Sequence, residues 1–333
     1  MMMQATNEIP RLEAGLVRAL HEPDHRQHYA RLALFVVLYL ACGGGAWWLA
    51  TMMSGAPLKW FVIVPLYLAA AGALHGISLF AHEAVHQTLS RNLWWNRMLG
   101  AACAIPVLQN CSAYRVLHLR HHHHLGEDGD PDHYANYTKW SWMIFTLNWL
   151  RLLAGYPIYI VAIPILGYKH GSPQDRRAIL LELGALLAVA ALVVLAPLPE
   201  GLLWHAWVVP MLVINFMVNV RGMSQHTLLP EAADEIRGTR SILTGPVVSF
   251  FMCHENLHLE HHLYPGVPWY HLPRLHAALR PELIARGAPY IGSYSAFVLE
   301  FMRHSWKRSP LGRMGGRGLD DAGNGGREGK AGS

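Results

Sequence analysis

Histidines recur in this chain in three short clusters that long apolar stretches separate. The clusters are HEAVH with His82 and His86, HLRHH with His118, His121 and His122, and HLEHH with His258, His261 and His262. Residues three and four apart lie on one face of a helix, so each cluster directs two or three imidazoles toward one point. A zinc site uses about four ligands. The eight imidazoles therefore predict a centre that holds two metal ions.

Chance has to be weighed against this interpretation, because 22 of the 333 residues are histidines. For any single histidine, a place in the core or on the surface is the better interpretation. The HxxHH spacing occurs twice, however, and this repetition favours a ligand role for the set. His123 and His124 extend the second run in the middle of the sequence, where an affinity tag is not expected.

Further polar residues flank the clusters. The stretch RGMSQH ends at His226, directly after an apolar segment, and we expect this imidazole to be a ninth ligand. Metal-bound imidazoles commonly donate their second N–H to a carboxylate or a carbonyl. Carboxylates near the clusters are Glu83, Asp128, Asp130, Asp132, Glu255 and Glu260, of which we favour Glu83, Asp128, Asp132 and Glu260 for this role. The DGDPD stretch fits a polar turn almost equally well.

The composition predicts that the clusters belong to a membrane protein. Hydrophobic residues make up 52% of the sequence and charged residues only 15%, which is too apolar for an ordinary soluble domain. A helix needs about 20 residues to cross a bilayer. The long apolar stretches predict an all-α integral membrane protein with four spans in two hairpins, at residues 32–53, 58–81, 178–198 and 202–220. We expect a cytosolic segment at 1–31, the membrane domain at 32–308, and a disordered tail at 309–333.

One further apolar stretch decides the topology. Residues 140–166 include Asn148, Arg151 and two prolines, a pattern typical of a helix in the membrane interface. A crossing here would put the second and third clusters on opposite faces of the membrane, where they could not share a centre. The clusters therefore favour four spans, with residues 140–166 and 93–108 at the interface.

The distribution of charge predicts the orientation and the class of partner. Basic residues collect in the two terminal segments, whereas the two short turns between spans hold only Lys59. Both termini and all three clusters are therefore predicted to be cytosolic in a multi-pass protein, which would lie in the inner membrane if the source is bacterial. The net charge of +5 indicates attraction to anionic lipid headgroups and not to nucleic acid. The four scattered cysteines indicate neither a disulfide framework nor a thiolate site.

The chemistry of the centre is not decided by ligand type alone, which leaves iron, copper and zinc open. The sequence shows no evident nucleophile, cofactor loop or acid–base pair. Oxidation of a lipid suits such a membrane enzyme, and breaking an unactivated C–H bond requires a redox metal and dioxygen.

Several motifs resemble the membrane fatty acid desaturase superfamily, which includes related hydroxylases and carotenoid ketolases. They are HEAVHQT, YRVLHLRHHHH followed by GEDGDPD, GTRS, and HLEHHLYPGVPWYHLPRLH, and the likeness runs from about Leu32 to His276. The resemblance implies a four-helix membrane anchor under a cytosolic helical cap. It also implies a non-haem di-iron centre that activates dioxygen with two external electrons. By the same resemblance, the eight clustered histidines and His226 are the iron ligands.

The sequence departs from the family in two respects. Some members hold a water ligand with an asparagine one turn before the extra histidine, where this protein has Gly222, and Asn219 lies nearly one turn further back. The HPGG haem motif of a fused cytochrome b5 and a rubredoxin-type CxxC pair are both missing from the sequence. The resemblance therefore implies a separate electron donor of the ferredoxin, rubredoxin or cytochrome b5 type.

Three functions stay open at this point. The first is an oxygen-dependent fatty acyl (acyl-lipid) desaturase, which introduces a C=C bond. The second is a hydroxylase or ketolase of a lipidic or carotenoid substrate, because the GEDGDPDHY and PWYHLP stretches are similar to carotenoid ketolases. The third is a non-catalytic metal-binding membrane protein, which we disfavour because the clusters lie outside the predicted spans.

Overall fold

A computed structural model describes residues 10–53, 57–133, 138, 140–229 and 231–308, and regular structure within them is almost entirely helical. The helices are α1 Ala14–Leu20, α2 His25–Met52, α3 Trp60–Val85, α4 Leu93–Ala104, α5 Cys111–His123, α6 Ser141–His170, α7 Pro173–Leu195, α8 Val209–His226, α9 Pro246–Phe251, α10 His258–Leu263, α11 Leu272–Ala285 and α12 Tyr294–Arg308. The strands β1 (Ser241–Ile242) and β2 (Tyr290–Ile291) form a small parallel pair. The prediction of an all-α membrane protein is confirmed. The predicted disordered tail lies outside the described residues.

Five helical segments in the described part of the protein are long and apolar enough to cross a membrane. They are His25–Met52, Pro57–Val85, Trp142–His170, Pro173–Leu195 and Trp204–His226. The first, second, fourth and fifth segments overlap the four predicted spans. Large apolar residues such as Leu187, Leu192 and Val194 are exposed along them, as expected of helix faces that meet lipid and not water.

The remaining segment corresponds to α6, which covers the stretch that we predicted to lie in the interface. It bends at Ala154, whose backbone is not helical. Arg151, ahead of the bend, reaches Gly222 near the end of α8. Gly167, beyond the bend, packs so closely on Ala113 of α5 that a Cβ at position 167 would lie 2.7 Å from it. α6 therefore packs beside α8, which ends at His226, and beside α5, which carries the second cluster. The interfacial position of this stretch and the count of four spans stay predictions.

α3 lies at the centre of the helices, where it packs against α2, α4 and α8. Its interface with α2 is close because Gly76 has no side chain, and a Cβ there would clash with the Phe35 ring. Phe35, Leu74 and Phe80 are fully or almost fully buried in this core. Tight packing of α3 fixes the position of its C-terminal end, which carries the first histidine cluster.

A second core supports the third cluster from outside the spans. It joins α1, α10 and α11 through buried leucines that include Leu20, Leu259 and Leu275. Because Leu259 lies within α10 and is fully buried, the packing of this core sets the rotation of α10. The rotation in turn determines which of the side chains on α10 face the spans.

Candidate metal centre

The nine histidines lie close together, and each lies in a helix or directly after one. His82 lies in the last turn of α3, and His86 follows directly after that helix. The side-chain oxygen of Asn110 caps the start of α5 by accepting a hydrogen bond from a backbone N–H, and the second cluster occupies the last turns of α5. α10 consists almost wholly of the third cluster. His226 is the last residue of α8.

The Nε2 atoms of these histidines face one another. The Nε2–Nε2 distances are 3.0 Å for His86–His118, His118–His122 and His258–His262, 3.1 Å for His226–His258, and 3.3 Å for His121–His226. Each neutral imidazole has one N–H donor and one lone pair, so hydrogen bonds between the rings cannot satisfy every inward-facing atom. His82 Nε2 and His261 Nε2 are buried and have no hydrogen-bond partner among the described residues.

The ring nitrogens gather into two groups, in each of which the ligand atoms lie within 4.8 Å of one another. The first histidine group is His82, His86, His118 and His261, and the second histidine group is His121, His226 and His262. His122 lies between the groups, because its Nε2 contacts His118 and its ring stacks on His262 with centroids 4.1 Å apart. Two adjacent groups of imidazoles have the donor set for two cations.

In the second histidine group, the outward-facing Nδ1 atoms are held by hydrogen bonds. His121 Nδ1 lies 2.9 Å from Asp130 Oδ1, and His226 Nδ1 lies 3.1 Å from the carbonyl oxygen of Gly238. An N–H at Nδ1 leaves the lone pair on Nε2 directed inward, which is the tautomer that a metal at the centre requires. Burial lowers the pKa of His121, but the hydrogen bond and the charge of Asp130 raise it by more, so the net shift is upward.

Near the first histidine group, one buried carboxylate faces several Nδ1 atoms. Glu255 is 1% exposed, and its oxygens lie 3.4 Å from His82 Nδ1, 3.6 Å from His258 Nδ1 and 3.7 Å from His261 Nδ1. Burial raises the pKa of Glu255 to about 8, although the positive charge of Arg221 opposes this shift. Its negative charge would be stabilised by cations at the centre.

An unusual turn brings Glu255 to this position. Cys253 and His254 both have positive φ, at 45° and 57°. Non-glycine residues rarely adopt this left-handed region, and such backbone strain is concentrated at functional sites. The turn lies between α9 and the third cluster.

The protonation of the buried rings fits metal binding. Burial, reinforced by neighbouring imidazoles, lowers the pKa of His258, His261 and His262 well below the ordinary value. Burial likewise lowers the pKa of His122 to about 2. Neutral imidazole is the form that binds a metal. These rings and the two nearby carboxylates therefore fit a pair of cations by charge, by donor type and by their unsatisfied nitrogens.

The carboxylates that we expected to accept an N–H from the clustered imidazoles lie elsewhere or have other partners. Asp128 and Asp132 are exposed, and Asp130, between them, makes the contact with His121. Glu83 is buried near His82 and Glu255, but its carboxylate accepts hydrogen bonds from Thr88 Oγ1 and the Trp269 backbone N–H.

Glu260 also differs from the expectation. Its carboxylate is fully buried and accepts hydrogen bonds from Ser241 Oγ and Tyr290 OH, and it pairs with His276 Nδ1. None of these partners is one of the nine histidines. Glu260 lies two positions after His258, and residues two apart do not share a helix face, so it faces the cap and not the centre.

The GTRS stretch at residues 238–241 supports the centre in a way that the sequence did not reveal. The Gly238 carbonyl accepts from His226, and Arg240 Nη1 donates to the backbone oxygen of Ser224 at 3.2 Å. Ser241 Oγ accepts from the backbone N–H of Leu259 in α10 at 2.9 Å. The stretch therefore joins the end of α8 to α10. Each contact joins residues that are far apart in the sequence, so the sequence alone did not reveal it.

A cavity adjoins the centre on the side of α6 and α8. It is lined by the histidines His82, His118, His121, His226 and His258. Arg151, Arg221 and Gln225 also line it, together with apolar residues of α6 such as Ile160 and Ile163. A bound molecule in this cavity would lie directly against the inward-facing ring nitrogens.

Comparison with known proteins places these features in a family. The profile of the fatty acid desaturase family matches residues 58–294. An sn-1 oleoyl-lipid 12-desaturase of Arthrospira platensis is 25% identical over 78% of this chain and 79% of its own length. A dihydrorhizobitoxine desaturase of Bradyrhizobium elkanii is 26% identical over 64% of this chain and 66% of its own length. A human sphingolipid delta(4)-desaturase/C4-monooxygenase is 25% identical over 77% of this chain and 75% of its own length. The protein is therefore a membrane oxidoreductase that belongs to the fatty acid desaturase family.

Proposed function

We propose that this protein is a di-iron, oxygen-dependent fatty acyl desaturase. The observation that carries the proposal is the convergence of the two histidine groups within one buried centre, next to a cavity and to helices suited to a membrane. Nine imidazoles would hold two iron ions: His82, His86, His118, His121, His122, His226, His258, His261 and His262. The chemistry that bound iron supplies is oxidation of an unactivated C–H bond with dioxygen.

The overall reaction fixes what must reach the site. Two hydrogens leave adjacent carbons of a saturated acyl group and a C=C bond forms. Dioxygen, two external electrons and two protons account for two molecules of water. The substrate is therefore a lipid, and a separate protein of the ferredoxin, rubredoxin or cytochrome b5 type supplies the electrons. We place the centre and both termini on the cytosolic side, where such donors are found.

The residues of the protein position the reaction and protect it. Asp130 and the Gly238 carbonyl hold two rings in the tautomer that directs Nε2 inward. Glu255 is buried beside three imidazoles and supplies negative charge that offsets the cations. Burial of the rings keeps water away from the site, which suppresses side reactions of a reactive oxidant.

Hydroxylation on the same scaffold is the second candidate function. The human relative is named both as a desaturase and as a C4-monooxygenase, so one family member carries both activities in its name. The two reactions share the first hydrogen abstraction. Desaturation removes a second hydrogen, whereas hydroxylation transfers oxygen to the carbon.

Mass spectrometry with labelled dioxygen distinguishes the two. The protein would be expressed in a host with a reductase system, and the lipids and pigments would be extracted. A product two mass units lighter without label supports desaturation. A heavier product that contains label supports a hydroxylase or ketolase and would overturn the proposal.

A further inference from the structure

Hydrogen-bond donors border the cavity next to the histidines. Arg151, Arg221 and Gln225 all line it. A guanidinium offers five N–H donors and no acceptor, and an amide nitrogen offers two donors. Arg221 Nε and Gln225 Nε2 have no acceptor among the described residues. These two donors call for an acceptor in the cavity, and a saturated hydrocarbon has none.

The Arg221 side chain is a charged donor in the cavity wall that lacks an acceptor in the described part of the protein. Within the described residues it forms no hydrogen bond or ion pair, and its Nε is buried without an acceptor. Its charge acts on His258 and His261, whose pKa values are lowered first by burial and by neighbouring imidazoles and then further by Arg221. Arg221 is half-buried and its charge also acts on Glu255, but an N–H donor that is buried without an acceptor is costly. A ligand that brings negative charge would remove this cost.

Gln225 and Arg151 extend the donor wall. Gln225 is 4% exposed, and its Nε2 has no acceptor among the described residues. The Arg151 guanidinium lies over the Tyr159 ring, 5.8 Å from the centroid, and passes close to Gly222. A Cβ at position 222 would lie 3.0 Å from Arg151 Nη2. The glycine one turn before His226 thus makes room for a guanidinium near the centre.

Carboxylates in the same cavity do not cancel this donor surface. Glu255 lines the cavity, but its oxygens face three imidazole Nδ1 atoms at 3.4 to 3.7 Å. Asp132 also lines the cavity but is exposed, so that solvent screens its interactions with the donors. The side of the cavity formed by α6 and α8 stays positive.

We propose that this cavity binds an oxyanion of the substrate, a carboxylate or a phosphate, so that the oxidised carbon lies only a few bonds from the anionic group. The inference rests on the proposed desaturase function and narrows its substrate class. Oxidation in the middle of a long acyl group would instead place methylene groups against these donors. Methylene groups cannot accept hydrogen bonds, so the donors would stay unsatisfied. Burial of a methylene group is favourable only in apolar surroundings.

Binding of short probes tests the proposal without turnover. The full-length protein in uncharged phosphatidylcholine nanodiscs would be titrated with hexanoate, hexyl phosphate and methyl hexanoate, with empty nanodiscs as the blank. We expect at least one anionic probe to bind roughly 10-fold more tightly than the neutral ester, because charge-assisted hydrogen bonds are the stronger kind. The tighter of the two anions identifies the carboxylate or the phosphate as the source.

Substitutions of Arg221 test whether this residue causes the preference for anionic probes. Arg221→Gln should remove most of the preference for the anion and leave methyl hexanoate binding unchanged, whereas Arg221→Lys should retain part of the preference. Arg176→Gln is the matched control, because Arg176 is exposed and donates to the backbone oxygens of Tyr168 and Lys169. Elution as a folded monodisperse particle would be required of each variant, and Arg221→Lys carries the test if Arg221→Gln fails this criterion.

Three outcomes would overturn the proposal. They are equal binding of hexanoate, hexyl phosphate and methyl hexanoate, equal loss of all three in Arg221→Gln, and a C=C bond near the middle of the product's acyl group. The last result would leave the proposed desaturase function intact. Preferential anion binding that depends on Arg221, in a protein that desaturates no lipid, would instead support the binding site and contradict the proposed function.

Discussion

The two histidine groups use the same ligand but are held in different ways. In the second group, Asp130 and the Gly238 carbonyl lie 2.9 and 3.1 Å from imidazole Nδ1 atoms, which are hydrogen-bond distances. Around the first group, the nearest Glu255 oxygens are 3.4 to 3.7 Å away, too far for good hydrogen bonds. Loop residues thus orient the second group, whereas the packing of α3, α5 and α10 orients the first. The difference predicts that single polar substitutions will affect the two groups unequally.

Loss of a ligand from the first group should have the largest effect. We expect His261→Ala to abolish turnover and to lower the iron content, because His261 belongs to that group and its Nε2 is buried without a hydrogen-bond partner among the described residues. Packing cannot replace a ligand. Membrane insertion should be unchanged, since the apolar helices do not depend on this residue. Product analysis and iron quantification on purified protein would measure both effects. His123→Ala, at an exposed histidine beside the second cluster, is the control, and retained activity in His261→Ala would contradict a shared centre.

Asp130→Asn tests the second group. The carboxylate that holds His121 becomes a neutral amide, and we expect metal affinity there to fall by a factor of about 10 to 100. A metal titration of the metal-free protein should show one weakened binding step and one nearly unchanged step.

The reciprocal variant sharpens the comparison. Glu255→Gln should weaken the step that Asp130→Asn spares, because the carboxylate faces His82 and His261 of the first group. Its effect should be smaller, since the contacts are longer. If each variant shifts both steps equally, the two groups are not independently held.

Glu260→Gln should reduce stability more than metal binding. The carboxylate accepts from Ser241 and Tyr290 in a fully buried site, so the free energy of unfolding should fall on the order of 1–3 kcal/mol. Thermal unfolding would measure this. Both metal-binding steps should weaken slightly and together, because α10 serves both groups. Tyr290→Phe removes one donor only and should cost less, and selective loss of one metal step in Glu260→Gln would contradict this role.

The periodicity of the histidines explains why much of the centre could be predicted. HxxxH and HxxHH spacings act within one helix, so the face that each cluster presents follows from local geometry. The same rule places Glu260 on the other face of α10 from His258, whereas proximity in sequence alone predicts a place at the centre. The family, the enzyme class and the all-α architecture that the sequence predicts are confirmed.

Long-range contacts explain what the sequence did not show. Asp128, Asp130 and Asp132 are equivalent in residue type and lie two apart, and only the folded loop turns Asp130 toward His121. The approach of Arg151 to Gly222 depends on how α6 packs against α8. Neither contact has a periodic signal, because the partners lie on different elements.

Asp128→Asn should have the smallest effect on metal binding. This variant distinguishes the hydrogen bond to His121 from the general effect of negative charge in the loop. Asp128 is exposed, whereas Asp130 two residues later is 3% exposed and contacts His121 Nδ1. Both substitutions remove one negative charge from the same loop, so a general electrostatic effect would make them similar. Exposed charges interact weakly because solvent and salt screen them. We therefore expect both steps of the metal titration of Asp128→Asn to match those of the unsubstituted protein. The effect of Asp132→Asn should lie between those of Asp128→Asn and Asp130→Asn, because the charge of Asp132 contributes to the raised pKa of His121. Equal weakening by Asp128→Asn and Asp130→Asn would show that loop charge, and not the hydrogen bond to His121, stabilises the second group.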